Sequence, residues 1–407
     1  MKEIKQLLSM TVLMSLSLLC ACSSEEPAAV SNGNPVSEST FNISIEEALG
    51  NADRMFAAIG SHKTRSDRKV SSIERLGKTT RSTDSDDVTD GFYVVNYAND
   101  GGFAILSADR RVTPVFALSE EGSLHLEDTV SNEGLDWYIN EHMPALASTT
   151  IKNPIDTTSY PFDPIVIPWS YYKKHSDPLL PDVLSKFGQG APYNQYLGAP
   201  TGTSRYVVGC GPLAVGTVMG YYEWPNCADG YSLNWSLLKG DGRNSGWARL
   251  FELLGRPKYL NVTKGTQYSD FTFSQDIMQR TFSRMGYSGT SVSSFSTSVI
   301  EDELSNGHPV LAHGQVSNDP THAYLWVIDG GYTTGHEESP VSPDMEPRKI
   351  FLTYYHCVWG ESGKGNGYYL YKNSIIGGTP HDVDSDSSYE PPVYRNLKIC
   401  HGYRPVR

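Results

Sequence analysis

The sequence predicts an α+β fold with two lobes, preceded by a smaller α+β segment, and three observations carry that prediction. In the second half, helical patterns come first and strand patterns later, which segregates the elements rather than alternating them in βαβ units. An extended, proline-punctuated stretch from Asn153 to Pro181 sets that half apart from an earlier group of elements. The 407 residues suffice for about two or three domains and at least one sizeable core.

The chain opens on Lys2 and Lys5, an apolar stretch from Leu7 to Leu19, and then Cys20, Ala21 and Cys22, the pattern of an export signal over residues 1–22. It is too short and too closely followed by polar residues for a membrane span. Leu19 to Cys22 also resembles a bacterial lipobox, with Cys22 as the lipidated residue because Ser23, Ser24, Glu25 and Glu26 follow it as a polar spacer. That resemblance implies an exported, lipid-anchored protein of the cell envelope; a cleaved signal releasing a secreted protein is the alternative. Residues 23–40 are rich in Ser, Glu, Pro and Asn and read as a flexible tether.

Order is expected from about Phe41, with a first unit over residues 41–150. Ile45, Ala48, Ala52, Met55, Phe56 and Ile59 recur at helical spacing behind Ser44, with Glu46 and Glu47 suited to the first turn. Ser61 to Asp90 is polar and reads as a long loop. Phe92 to Val95 and Gly102 to Ser107 form a hairpin pattern around Asn99, Asp100 and Gly101, and Val115 to Leu118 adds a strand. Leu135 to Ala147 is helical in pattern, with Pro144 expected to kink or shorten it. Residues 151–177 are then a linker, and 178–407 the second unit.

In that unit Val208, Gly209, Cys210, Gly211, Pro212 lead into an amphipathic helical segment, Leu213 to Tyr222. Trp235 to Leu238 follows, then helices over Trp247 to Leu254 and Phe273 to Met285. Pro309 to His313, His322 to Ile328, Ile350 to Tyr355 and Tyr368 to Tyr371 read as strands, and Gly377 to Pro391 as a polar, acidic loop.

The net charge of −13 comes without a basic stripe, so nucleic acid is excluded as the expected partner. The six cysteines form no CxxC pair and no HExxH is present, so neither a metal site nor a cofactor is expected. A disulfide among Cys227, Cys357 and Cys400 stays open. Cys210 is the chemical candidate: at a helix start, unpaired backbone N–H groups and the helix dipole favour thiolate over thiol, which makes a nucleophile at neutral pH. The competing reading is a small apolar residue in a buried helix. A thiol nucleophile needs a base that takes its proton and returns it to the leaving amine. His322 is best placed, opening an apolar strand just after a loop, with His313 and His356 as strand-end alternatives. Gln189, in a Gly- and Pro-rich loop upstream of Cys210, can serve with the Cys210 backbone N–H as a donor to an oxyanion. A serine hydrolase is set aside, because Gly286, Tyr287, Ser288, Gly289 does not complete a G-x-S-x-G elbow.

Gln189 with Pro192, Tyr193 and Asn194; Gly209 and Cys210 with Met219, Tyr221, Tyr222, Trp224 and Pro225; His322 and Ala323 with Asp329 and Gly330; and Trp359 and Gly360 with Asn366 to Tyr369 resemble the streptopain family of papain-like cysteine peptidases. Asn234 with Trp235 and Glu303 to Leu311 extend the resemblance, and Ile45 to Ala48, Gly91 to Tyr97 and Gly102 to Val112 resemble that family's propeptide. The resemblance implies a papain-like catalytic domain with a helical lobe carrying Cys210 as nucleophile and a β lobe carrying His322 as general base and acid. It further implies Gln189 as oxyanion donor, Trp359 as shield of the imidazole, peptide or protein substrates, and residues 41–150 as an intramolecular inhibitor removed on activation.

Four departures stand out. Val358 replaces the usual Asn before the tryptophan and cannot orient an imidazole. The His322 to Asp329 spacing is two residues longer than usual, the run after the tryptophan reads Glu361, Ser362, Gly363, Lys364, and Phe187 replaces Trp. The alternative function is therefore a catalytically weakened member acting as a surface binding protein or adhesin.

Overall fold

The computed structural model describes residues 42–61, 67–76, 91–110, 112–126, 132–151, 171–200, 204–238, 244–267, 269–316, 319–338, 348–376 and 397–407. The expected signal segment, Cys22, the tether and the acidic loop from Gly377 lie outside these residues.

Helix α1 (Ile45–Ala58) starts where Ser44 accepts a hydrogen bond from the Glu47 N–H, with Glu46 and Glu47 at the positive end of its dipole. Its apolar face, Ala48, Ala52, Met55 and Phe56, is buried. The face covers a meander of β1 (Val70–Leu76), β2 (Phe92–Tyr97), β3 (Phe103–Ser107) and β4 (Val115–Ser119). The expected hairpin forms, with Asn99 and Asp100 in left-handed conformation at φ 60° and 51°. β1 corrects the sequence reading, which left this stretch as loop. It is an edge strand whose Val70 and Ile73 are 39% and 45% exposed, so burial imposed no apolar alternation on it.

The expected helix around Pro144 is one continuous run: α2 (Glu133–Trp137), a π-helical turn Tyr138–His142, and α3 (Met143–Ile151). Proline neither ends nor shortens it. Pro144 has no N–H and its ring crowds the carbonyl one turn earlier, and the wider π turn immediately before it takes up the mismatch.

After β5 (Tyr171–Ser176) the chain forms α4 (Asp182–Ser185), α5 (Cys210–Tyr222), the short pair β6 (Cys227–Ala228) and β7 (Tyr231–Ser232), α6 (Trp235–Leu238), α7 (Asn244–Leu254) and α8 (Gln275–Arg284). The strand-rich part follows: β8 (Tyr287–Ser288), β9 (Ser291–Ser294), α9 (Thr297–Ser305), β10 (Val310–Val316), β11 (Asp319–Glu338), β12 (Arg348–Val358), β13 (Gly367–Ile376), β14 (Leu397–His401) and β15 (Arg404–Pro405). The helices-then-strands order holds. The linker also holds structure, because β5 pairs antiparallel with the second half of β11.

The principal sheet runs β1-β2-β3-β4-β13-β12-β11-β10-β14-β9. The strands of the first segment and those of the second are therefore one sheet, joined where Leu118 and Ala117 of β4 pair with Tyr368 and Tyr369 of β13. One face of β11 presents Leu325 and Val327 beside the first turns of α5. Tyr324 and Trp326 alternate to the other face, where Gly134 abuts Tyr324 and Trp137 packs on Trp326 at 5.2 Å.

Helix α5 differs from the amphipathic helix expected: every residue but Tyr221 is buried. It lies between β11 and α7, with Phe251 and Trp247 of α7 against Gly216 and Gly220. A helix enclosed on all sides needs no polar stripe.

Candidate active site

Cys210 is the first residue of α5, set there by a left-handed Gly209 at φ 90°. A Cβ on Gly209 would lie 2.9 Å from the Ser269 carbonyl oxygen, so both backbone conformation and space demand glycine. Gly209→Ala is expected to destabilise the chain by roughly 1–3 kcal/mol, read as a lowered denaturant midpoint.

The Cys210 thiol corrects the sequence expectation of a ready thiolate. Burial pushes it up to about 12, and the negative charges of Glu133 and Asp270 add to that, against backbone hydrogen bonding at Leu325 and Gly211. Desolvation outweighs the helix terminus here. The crevice beside the sulfur is lined by Leu213, Ala214, Thr217, Leu325, Val327, Val358, Trp359 and Gly360, a mostly apolar wall with no ionisable base among these described residues.

Gln189 is brought to the start of α5 as expected. Its Oε1 accepts the Gly209 N–H at 2.7 Å, and its Nε2 donates toward the Tyr324 hydroxyl at 3.4 Å. That hydroxyl donates to the Trp359 carbonyl at 2.7 Å and lies 3.1 Å from Glu361 Oε1. Burial raises the Glu361 carboxyl to about 7; hydrogen bonding with Tyr324 and Gln189 opposes it, Glu133 adds to it, and Lys364 lowers it. Tyr324 itself is pushed far up by burial and by the charges of Glu361 and Cys210.

His322 lies in β11, two residues before Tyr324, and its side chain falls outside the described residues. Tyr324 is thus the ring that meets Gln189 and Trp359. The signal for it was in the sequence: with the two extra residues before Asp329 removed, the position counted back from Asp329 is 324. Glu361 sat equally visible in the altered run after Trp359 but carried no expected partner, since partners so far apart in sequence meet only through the fold.

Trp359 is 1% exposed and sits among aromatic rings, 5.2 Å from Trp326 and 5.1 Å from Tyr369, with Nε1 donating to the Gly365 carbonyl. These contacts are those of a core aromatic, and Trp359 also lines the Cys210 crevice. Val358 faces the Cys210 crevice, and Asp329 instead binds His356, Oδ1 to Nδ1 at 2.6 Å, while its Oδ2 accepts the Leu180 N–H. Cys210, Cys227, Cys357 and Cys400 are all free thiols, so the disulfide left open does not form among them.

The first segment reaches this site. A Cβ on Gly134 would lie 2.5 Å from the Trp359 ring and 2.6 Å from the Tyr324 ring, a closeness only glycine permits. Asn132 caps α2 and donates to the Lys364 carbonyl, Trp137 Nε1 donates to the Gln315 carbonyl, and the Tyr138 hydroxyl lies within hydrogen-bond reach of the Phe116 and Leu370 carbonyls. α2 therefore lies against the loop that carries Glu361.

Two family models match the chain: the Spi protease inhibitor over residues 33–142 and the Peptidase C10 family over residues 187–251. No curated protein matches it. Among solved structures, a fragment of prointerpain A from Prevotella intermedia is 17% identical, covering 81% of this chain and 98% of its own, at a TM-score of 0.48. Active interpain A, a cysteine protease of the same organism, is 16% identical and covers 57% of this chain and 96% of its own, at a TM-score of 0.37.

Proposed function

We propose, from the premise that this chain is a Peptidase C10 family member with a Spi-type inhibitor segment ahead of its catalytic part, and so a cysteine peptidase made as a zymogen, that Cys210 is the nucleophile that cleaves peptide bonds. The observation that carries the assignment is the thiol at the first turn of a buried helix, one residue from the N–H that pins the Gln189 amide. His322 accepts the Cys210 proton, and the sulfur attacks the substrate carbonyl carbon. Gln189 Nε2 and the Cys210 N–H stabilise the resulting oxyanion. Collapse of that adduct breaks the C–N bond, His322 protonates the departing amine, and a thioester remains. Water, deprotonated by His322, then hydrolyses the thioester and returns the thiol.

Residues 41–150 hold the enzyme latent, and cleavage in 151–177 begins their release. The burial of Cys210 and the contacts of α2 with the Glu361 loop support that reading. Cys22 carries a lipid that anchors the exported protein to the cell envelope, supported by the lipobox-like sequence; mass spectrometry of the mature N-terminus should find a diacylated Cys22.

The test is stoichiometric: the self-processed chain should lose turnover of an unfolded protein substrate in proportion to Cys210 labelled by a thiol-directed epoxide. Turnover that persists at full labelling would sink the assignment. Tyr324 beside Gln189 and Val358 beside Cys210 favour a second reading, a surface binding protein with weakened catalysis; it predicts a chain that neither labels nor turns over after the first segment is removed.

A further inference from the structure

We propose that Glu361 is a positioning residue for the oxyanion donor, holding the Gln189 amide, directly and through the Tyr324 hydroxyl, in the orientation that acyl transfer at Cys210 needs. The proposal rests on the peptidase reading. The last torsion of a glutamine side chain is broad and soft, so an amide keeps one orientation only when both of its ends are held. The oxygen end is held by the Gly209 N–H at 2.7 Å. The nitrogen end meets the Tyr324 oxygen at 3.4 Å, and what fixes that oxygen decides where the amide points.

Proton counting identifies Glu361 as that control. A phenol has one proton, and the shortest contact of Tyr324, 2.7 Å, gives it to the buried Trp359 carbonyl. The phenol oxygen then faces Gln189 Nε2 and Glu361 Oε1 with lone pairs only, and a carboxylate 3.1 Å away would set acceptor against acceptor. A protonated Glu361 resolves the conflict by donating to Tyr324. The raised carboxyl of Glu361 agrees with this, with Glu133 from α2, Lys364 from its own loop and Tyr324 from β11 as the ionisable groups facing it. One N–H of Gln189 is then spent on the Tyr324–Glu361 pair, which leaves the other for the substrate oxygen.

The experiment uses the full chain after it has processed itself, with Glu361→Leu and Glu361→Gln beside the wild type. kcat and KM are measured on a peptide amide and normalised by epoxide titration of Cys210. Glu361→Leu should lower kcat by about 10- to 100-fold with KM within roughly 3-fold and Cys210 titrating fully, because a transition-state donor is mis-set while the nucleophile is untouched. Glu361→Gln keeps a donor toward Tyr324 and should restore most of kcat. Wild-type kcat in Glu361→Leu would overturn the proposal, as would equal losses in both variants with Cys210 no longer titrating. A wild type that titrates but turns nothing over sinks the peptidase reading instead.

Discussion

The Cys210→Ala chain is expected to remain full length, to turn over no protein or peptide substrate, and to resist labelling by a thiol-directed epoxide. The acyl-enzyme cannot form without the sulfur, and loss of a nucleophile in an acyl-transfer enzyme lowers kcat by roughly a millionfold, leaving only the contribution of the oxyanion donors and binding. The fold should survive, because Cys210 sits in an apolar crevice beside Leu213, Ala214 and Leu325 and alanine removes a single heavy atom there. Denaturant midpoints of the two chains should therefore agree to within about 1–2 kcal/mol of stability. A Cys210→Ala chain that still shortens itself at the wild-type rate would place the nucleophile elsewhere.

The second large effect concerns the intact chain. With Cys210 held near 12 against an ordinary thiol value of 9.0, its thiolate fraction at pH 8 falls by roughly a thousandfold, and alkylation by iodoacetamide falls with it. The exposed Cys227 serves as reference within the same molecule. The sign is that of a raised acid: the rate at Cys210 should climb about tenfold per pH unit through the whole accessible range, without a plateau. His322→Ala keeps the chain unprocessed during the measurement. Once the first segment is gone, the Glu133 charge leaves with it, the site gains access to water, and Cys210 should react at neutral pH. Equal alkylation of Cys210 and Cys227 in the unprocessed chain would contradict the buried state of the thiol.

How much of this could be read from residues alone follows physical lines. Local signals held where one short segment decides the outcome: the Ser44 cap and apolar face of α1, the Asn99–Asp100 turn, and the order of helices before strands. Gln189 and the start of α5 came together as expected because a tight Gly209 turn and two hydrogen bonds, from the Val208 and Gly209 N–H groups, join them. The misses needed tertiary knowledge. The edge strand β1 is polar because almost nothing covers it, α5 is apolar on all sides because two layers enclose it, and the Cys210 thiol is set by desolvation, which a helix-terminus argument does not contain. Tyr324 was hidden by two extra residues, and Glu361 acquires meaning only when β11 delivers a phenol to it.

The junction between β4 and β13 has a consequence for how the inhibitor leaves. Only two residue pairs stitch it, Leu118 to Tyr368 and Ala117 to Tyr369, so separation resembles opening a short zip rather than melting a sheet. What resists is distributed in tethers beside the zip: the Tyr354 hydroxyl on the Val115 carbonyl, Ser119 Oγ on the Asn366 carbonyl and Lys186 against Glu121. The first two leave a buried or part-buried carbonyl without its donor when they part, whereas the exposed Lys186–Glu121 pair adds little. Backbone scission in the linker therefore does not by itself free the active enzyme. The nicked pair should persist as a tight non-covalent complex until water or a second cut reaches those tethers, giving the molecule a delay between being cleaved and becoming competent.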